Sequence, residues 1–265
     1  MNIWTEKSIS LANQSNYLDL LYKIYPMSVN LRREIQPEVQ NRIKTYLDNA
    51  DKKNLLLTLL KQEIFPIKDS YVAYLKRDKG AIDRNPNTVN RLFGMLVDMG
   101  FDEIIEKTTV PKETNRQIGP LFKRWVSSGA LSAPVTNDFK VFLTCKENII
   151  FNAGDQTMSD FAKEHLGYDH DKGLDFIAKF NNKYILAETK FLTDFGGHQN
   201  SQFNDAISTM KSNLSETTRD VKIISILDGV LYIKRNNKMM KSLLSFDNDD
   251  VVISAVLLRD YLYSI

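Results

Sequence analysis

The chain has 265 residues, 43% hydrophobic and 26% charged, which argues against intrinsic disorder and provides for one large domain or two small ones. The formal net charge is only +2, so the chain is not a polycation, and any nucleic-acid-binding surface must come from local clustering of basic residues. The single cysteine, Cys145, excludes an internal disulfide and a thiolate zinc site. With no signal-peptide pattern and no apolar run of ~18 residues, these features predict a cytoplasmic protein without a membrane span.

The first 150 residues have the pattern of a mostly helical region. Apolar residues recur at helical spacing in six segments, which predicts helices over Asn16–Tyr25, Val39–Leu47, Asn54–Leu60, Ser70–Lys76, Val89–Met99 and Arg116–Val126. Asp69 can cap the fourth of these helices, and Gly100 is expected to end the fifth.

The second half changes character. Strands are predicted over Lys140–Thr144, Glu147–Phe151, Leu174–Phe180, Tyr184–Phe191, Val221–Leu227 and Gly229–Ile233, and helices over Asp155–Leu166 and Gln199–Leu214. This alternation predicts an α/β fold. We expect a helical region over residues 1–150 and an α/β core over residues 151–265, although no linker marks the boundary and the two can form one compact domain.

One predicted hairpin brings charged residues together. Asn181 and Asn182 separate two apolar runs and are typical of a two-residue hairpin turn. In that register Asp175 lies opposite Glu188, with Cβ atoms roughly 4.5–5.5 Å apart, and Lys190 shares their face because side chains alternate along a strand. Two facing carboxylates repel each other, so this pair calls for a counter-charge. A divalent cation or Lys190 alone can supply it, and in the second case the hairpin is an ion-paired surface without chemistry.

The spacing of these residues resembles a known motif. Asp175, followed by Glu188-Thr189-Lys190, is similar to the PD-(D/E)xK motif of many type II restriction endonucleases and some repair nucleases, although Leu174 stands where the motif name has proline. The resemblance implies a mixed sheet flanked by helices. It also implies that Asp175, Glu188 and the Thr189 carbonyl bind Mg²⁺, which Mn²⁺ can replace, and that Lys190 holds or deprotonates the attacking water. An additional acid often lies on the preceding helix in this superfamily, and Glu164 matches that place.

Two further segments carry candidate DNA contacts. After the lysine strand, Gly196 and Gly197 precede a polar stretch whose side chains suit phosphates, base edges or a metal-bound water; the candidates are His198, Gln199, Asn200 and Gln202. Upstream, the basic stretch from Lys112 to Trp125 resembles one found in restriction endonucleases, and its candidates are Asn115, Arg116, Lys123 and Arg124. For each segment the alternative is an ordinary solvated helix face.

The resemblance therefore predicts a type II restriction endonuclease that cuts a short, specific double-stranded DNA site and leaves a 5′-phosphate and a 3′-hydroxyl. A homodimer is expected, because most such sites are palindromic and two strands must be cut. The alternatives are a structure-specific repair or recombination nuclease of the same superfamily and a DNA-binding protein without catalysis. A methyltransferase is disfavoured because no glycine-rich cofactor loop follows a first strand, and the three dispersed histidines disfavour a histidine-based nuclease.

Overall fold

A computed structural model describes residues 1–27, 32–111 and 115–265, without the side chains of Asn115 and Arg116. The chain divides into two compact units, one formed by residues 1–27 with residues 114–265 and the other by residues 28–113. This division does not coincide with the boundary expected near residue 150, because the first and last parts of the chain fold together. Among the described residues, no helix is long and apolar enough to cross a membrane.

The unit of residues 28–113 is helical. Its described helices are α3 (Pro37–Asp48), α4 (Lys52–Leu60), α5 (Ser70–Arg77), α6 (Ala81–Arg84) and α7 (Pro86–Thr108). As predicted, Asp69 caps α5, accepting a hydrogen bond from the Tyr71 N–H at 2.8 Å. Gly100 has a non-helical backbone with a positive φ of 74°, so the first helical segment of α7 ends there as predicted, and a second segment follows to Thr108.

The unit of residues 1–27 and 114–265 contains a sheet with helices on both faces. Its described helices are α1 (Ile3–Ala12), α2 (Tyr17–Ile24), α8 (Asn115–Ser127), α9 (Phe139–Thr144), α10 (Asp155–Leu166), α11 (Gly197–Met210), α12 (Lys238–Ser245) and α13 (Leu258–Ser264). Its described strands are β1 (Val135–Thr136), β2 (Ile149–Phe151), β3 (Phe176–Phe180), β4 (Lys183–Leu192), β5 (Asp220–Gly229) and β6 (Val252–Ile253). They form one sheet in the order β1-β2-β3-β4-β5-β6. The predicted α/β class is confirmed.

The sheet is mixed, and helices cover both of its faces. Strands β2, β3 and β4 pair antiparallel, whereas β1/β2, β4/β5 and β5/β6 pair parallel. Side chains alternate between two hydrophobic clusters: Phe176 and Ala178 lie in the cluster that includes residues of α1, α2, α8 and α11, whereas Ile177 lies in the cluster that includes residues of α9 and α10. Because both faces are covered, β3 is buried at every residue, and all of its residues except Lys179 are apolar.

Two predicted strands are not strands. Residues 140–144 belong to α9, because Asp138 accepts hydrogen bonds from the Lys140 and Val141 N–H groups and caps a helix there. Gly229 ends β5, and the next residues form a 3₁₀ turn, Val230–Tyr232.

The hairpin of β3 and β4 has the predicted turn and register. Asn181 and Asn182 have positive φ angles of 48° and 66°, as a two-residue turn of type I′ requires. Phe180 pairs with Lys183, and the ladder continues to the pair Phe176 and Ala187. The ladder ends at Phe176 and does not include Asp175. The Asp175 N–H instead donates to the Ala187 carbonyl at 2.9 Å.

A fully buried aspartate ties α2 to the end of β5. Asp228 accepts four hydrogen bonds: from the hydroxyls of Tyr17 (3.1 Å), Tyr25 (2.9 Å) and Ser254 (2.5 Å), and from the Ala255 N–H (3.2 Å). Burial raises the pKa of Asp228, although these donors act in the opposite direction. The carboxyl therefore holds together segments that are more than 200 residues apart in sequence.

We expect Asp228→Ala to lower the free energy of unfolding by about 3 kcal/mol or more, because it leaves buried donors without an acceptor at a cost of about 1–3 kcal/mol each. Urea unfolding measures the effect. The matched control is Asp220→Ala, at the exposed beginning of the same strand, where a change within about 0.5 kcal/mol is expected. Equal stability of the two variants would show that the buried network contributes nothing.

Candidate active site

The three residues of the predicted motif lie together around β4. Asp175 precedes β3, and Glu188, Thr189 and Lys190 follow one another in the second half of β4. One Asp175 carboxylate oxygen accepts a hydrogen bond from the Thr189 N–H at 2.8 Å. The Lys190 ammonium lies 2.6 Å from the Glu188 carboxylate. The backbone of β4 thus holds one acid while its side chains present the other acid and the lysine.

Glu188 is almost completely buried, with 6% of its surface exposed. One of its oxygens contacts Lys190, and the other accepts a hydrogen bond from the Thr209 hydroxyl at 2.7 Å. Thr209 lies on α11, which packs against β4 and β5. Both carboxylate oxygens therefore have defined partners, and the side chain is fixed in orientation.

The charges of this cluster are strongly coupled. Burial raises the pKa of the Asp175 carboxyl above its ordinary value, and the charges of Glu188 and Asp155 add to the increase, while Lys190 and the Thr189 N–H oppose it. Burial would lower the pKa of Lys190, but Asp175 and Glu188 outweigh that effect and raise it. Lys190 is therefore a firmly protonated ammonium, whereas Asp175 resists carrying its charge.

A cavity opens at the cluster. It has a volume of about 270 Å³ and is lined by Ile118, Gly119, Pro120, Asp175, Thr189, Lys190, Phe191 and Gln202. Its walls come from α8, the hairpin and α11, all within the unit of residues 1–27 and 114–265. A phosphate group that entered this cavity would meet Asp175 and Lys190 together.

The polar residues of α11 divide into two groups. Gln202 reaches the cavity, and its amide lies 3.1 Å from the His198 ring nitrogen. Gln199 is buried instead, and its side-chain oxygen accepts a hydrogen bond from the Thr193 N–H at 3.0 Å. Asn200 donates to the Phe195 carbonyl at 2.8 Å. The structure therefore places Gln202 and His198 beside the site, while Gln199 and Asn200 brace the loop that follows β4.

An acid that the sequence analysis did not single out acts on the site. Asp155, the first residue of α10, is the member of that helix whose charge contributes to the raised pKa of Asp175. Glu164 lies near the other end of α10, is mostly exposed, and sits 3.8 Å from His165. Spacing from the motif pointed to Glu164, but the acid of α10 whose charge acts on Asp175 is Asp155, at the beginning of the helix.

The basic candidates of α8 are differently placed. Lys123 forms an ion pair with Asp155 and donates to the Ala153 carbonyl at 3.1 Å. Arg124 is exposed, with no ion pair to any residue that the structure describes. The side chains of Asn115 and Arg116 lie outside the described residues. Lys123 therefore links α8 to the acid of α10 beside the cavity.

The donor set of the cluster fits a hard divalent cation with few protein ligands. Within the described part of the chain, no three carboxylate, imidazole or thiol side chains are grouped as a metal site. Mg²⁺ is commonly held by one or two carboxylates and keeps several waters, so Asp175 and Glu188 meet its requirement. Their coupled negative charge favours a cation, and the ammonium of Lys190 supplies part of that positive charge through its contact with Glu188.

Two carboxylates, a lysine and an accessible cavity can position a water for hydrolysis of a phosphate ester. The chain belongs to the Tsp45I type II restriction enzyme family, whose model matches residues 2–265. It is thus a type II restriction endonuclease, a site-specific deoxyribonuclease. Comparison with curated proteins and with solved structures gave no match.

Proposed function

We propose that this restriction endonuclease hydrolyses DNA with Mg²⁺ at a PD-(D/E)xK centre formed by Asp175, Glu188 and Lys190. The observation that carries the proposal is the contact network around β4, where Thr189 holds Asp175 and Lys190 contacts Glu188 at the mouth of a cavity. Membership of a restriction enzyme family favours this function over a structure-specific repair nuclease or a DNA-binding protein without catalysis.

Each residue has a role that follows from its position. Asp175 and Glu188 would hold the ion, with the Thr189 carbonyl as a further oxygen ligand. The bound ion lowers the pKa of water and stabilises charge on the scissile phosphate. Lys190 donates hydrogen bonds from its ammonium, and its raised pKa favours orienting the attacking water over removing its proton. Cleavage would leave a 5′-phosphate and a 3′-hydroxyl.

Other side chains would support the chemistry. Thr209 holds Glu188 in place through its hydroxyl. Gln202 and His198 are placed to bind a phosphate oxygen or a water at the cavity. Asp155 is the better candidate than Glu164 for the accessory acid, because its charge reaches Asp175.

We propose that DNA recognition uses the helical unit of residues 28–113. In the other unit, Asn115, Arg116 and Arg124 of α8 remain candidate DNA contacts. We further propose a homodimer, because the proposed centre provides one set of catalytic residues per chain and a duplex has two strands to cut. The single thiol suits a reducing compartment, and we place the enzyme in the cytoplasm.

The test is digestion of a plasmid of known sequence with Mg²⁺, followed by sequencing of the fragment ends. We expect discrete fragments whose ends share one short sequence and carry 5′-phosphates. Mn²⁺ should support cleavage, and excess chelator should abolish it. Cleavage that persists in the chelator would contradict the metal mechanism, and random ends would contradict site specificity.

A further inference from the structure

A basic segment follows β5 and lies outside the catalytic cluster. The basic segment, Lys234–Lys241, contains four cations and no acid: Lys234, Arg235, Lys238 and Lys241. All four are exposed, and none forms an ion pair with a residue that the structure describes. In a chain whose net charge is only +2, this is a concentrated and uncompensated positive patch.

Several other basic residues of the chain are neutralised locally by acidic partners. In the helical unit, Arg84 is paired with Asp78, and Arg91 lies 2.6 Å from Asp69. Lys123 beside the cavity is paired with Asp155. The basic segment differs from these clusters because its charges remain available to an external anion.

The sheet directs the basic segment to the catalytic edge. Strands β4 and β5 run parallel, and their last residues, Leu192 and Gly229, are partners. The chain therefore leaves both strands at the same edge. Glu188 and Lys190 lie near that edge on β4, and the basic segment begins five residues after β5 ends.

Two grooves, related by shared lining residues, lie between the cavity and the basic segment. A groove of about 740 Å³ shares Phe191 with the catalytic cavity and extends to Ile233. A second groove of about 700 Å³ shares Gln14 with the first and is lined by Lys234 and Arg235. Each groove also has one acid on its wall, Asp19 in the first and Glu6 in the second, and the remaining polar lining is uncharged: Ser10, Asn13, Asn16, Thr193 and Asn236. The surface thus changes from a catalytic cavity lined by one acid and one lysine, through a mostly neutral track, to a basic end.

We propose that the basic segment binds backbone phosphates of the DNA that flanks the cleaved bond, with the strand passing from the cavity over Phe191 and Ile233 to Lys234 and Arg235. This inference rests on the proposed function, because it requires the scissile phosphate to enter the cavity beside Lys190. Unpaired lysine and arginine side chains bind phosphates without regard to base sequence. The segment supplies affinity and alignment, not recognition of bases.

The experiment compares two double variants that remove the same charge. The first variant, Lys234→Gln/Arg235→Gln, removes two charges from the basic segment. The control, Lys146→Gln/Lys183→Gln, replaces two exposed lysines near the hairpin turn, at the opposite edge of the sheet. Binding of a 30-base-pair duplex of random sequence is measured without divalent metal over a range of salt concentrations. We expect the first variant to bind about tenfold more weakly at low salt, with a salt slope smaller by about 2. The control should bind like the wild type.

Two results would overturn the proposal: an unchanged affinity and slope in the first variant, or an equal loss in both variants, which would show only a general effect of net charge. In single-turnover cleavage of the plasmid, the first variant should need a higher enzyme concentration than the wild type to reach half of its maximal rate, since the basic segment contributes affinity for DNA. If the wild type itself cleaves no plasmid, the proposed metal-dependent function fails. If the wild type cleaves and the first variant binds normally, only the role of the basic segment fails.

Discussion

Asp175→Asn is expected to reduce DNA cleavage by at least about a thousandfold while raising the melting temperature of the metal-free protein. Asparagine keeps an oxygen that can accept the Thr189 N–H, so the hydrogen bond to β4 survives. It removes a buried negative charge beside Glu188, together with the ligand that the proposed ion requires. Activity and stability should therefore change in opposite directions.

The gain in melting temperature should depend on pH. Burial raises the pKa of the Asp175 carboxyl in the folded protein. Preferential protonation of the folded state therefore adds to the free energy of unfolding. This addition is fully present below the unfolded pKa of about 3.9 and is lost as the pH rises through the folded pKa. The wild type and Asp175→Asn should melt alike in acid, and the variant should melt higher towards neutral pH. Melting curves in chelator from about pH 4 to pH 8 measure this difference.

Either half of this prediction can fail separately. Cleavage by Asp175→Asn at nearly the wild-type rate would show that the hairpin is not part of the active site. Equal melting temperatures at every pH would show that the acid carries its charge without cost. Added Mg²⁺ should raise the melting temperature of the wild type more than that of the variant, because an ion that binds only the folded state stabilises it.

Lys190→Ala is expected to lose cleavage by about 10²–10⁴-fold but to retain metal-dependent binding of the specific site. An ammonium has only donors and cannot ligate a cation, so metal affinity does not require it. Its removal frees the Glu188 oxygen that it now contacts at 2.6 Å, and metal affinity should be equal or higher. The chemical step should suffer, since the water loses the group that orients it.

Binding with Ca²⁺ and cleavage with Mg²⁺ are measured side by side for this variant. The matched control is Lys172→Ala, which removes a lysine paired with Asp205 at 3.1 Å and outside the residues that line the cavity. The control should cleave like the wild type. Normal cleavage by Lys190→Ala would reduce Lys190 to an ion-pair partner, and joint loss of binding and fold would make its role structural.

The hairpin could be predicted from the sequence because its determinants are local. Two asparagines that tolerate positive φ specify the turn, and the turn specifies which residues of the two strands are partners. The common face of Glu188 and Lys190 then follows from the alternation of side chains along β4. The position of Asp175 depends in addition on hydrogen bonds to the β4 backbone, because the ladder stops at Phe176.

The division of the chain could not be predicted, because it depends on contacts between distant segments. Thr5 donates to the Val252 carbonyl at 2.9 Å, and Ser8 accepts from the Ser254 N–H at 2.9 Å. These bonds attach the N-terminal helices to the sheet unit. In the sequence alone, Thr5 and Ser8 cannot be told from ordinary polar residues of a helix.

Polar side chains near the site were predicted by type but not by partner. Gln199 and Gln202 are both amides at the beginning of α11, yet one holds a backbone N–H and the other lines the cavity. Thr209 and Asp155 were missed because the packing of α11 and α10 sets both the hydrogen bond of Thr209 to Glu188 and the effect of Asp155 on the pKa of Asp175. A spacing rule along the chain does not determine which turn of a helix faces a strand.

The central claim is that Asp175 and Glu188 together hold the divalent ion. Its most direct test is calorimetric titration of Mn²⁺ into the wild type, Asp175→Asn and Glu188→Gln, each bound to a duplex whose scissile bond is non-hydrolysable. We predict saturable Mn²⁺ binding to the wild-type complex and its loss in both variants. Equal Mn²⁺ binding by all three proteins would contradict the assignment of these residues as the metal centre.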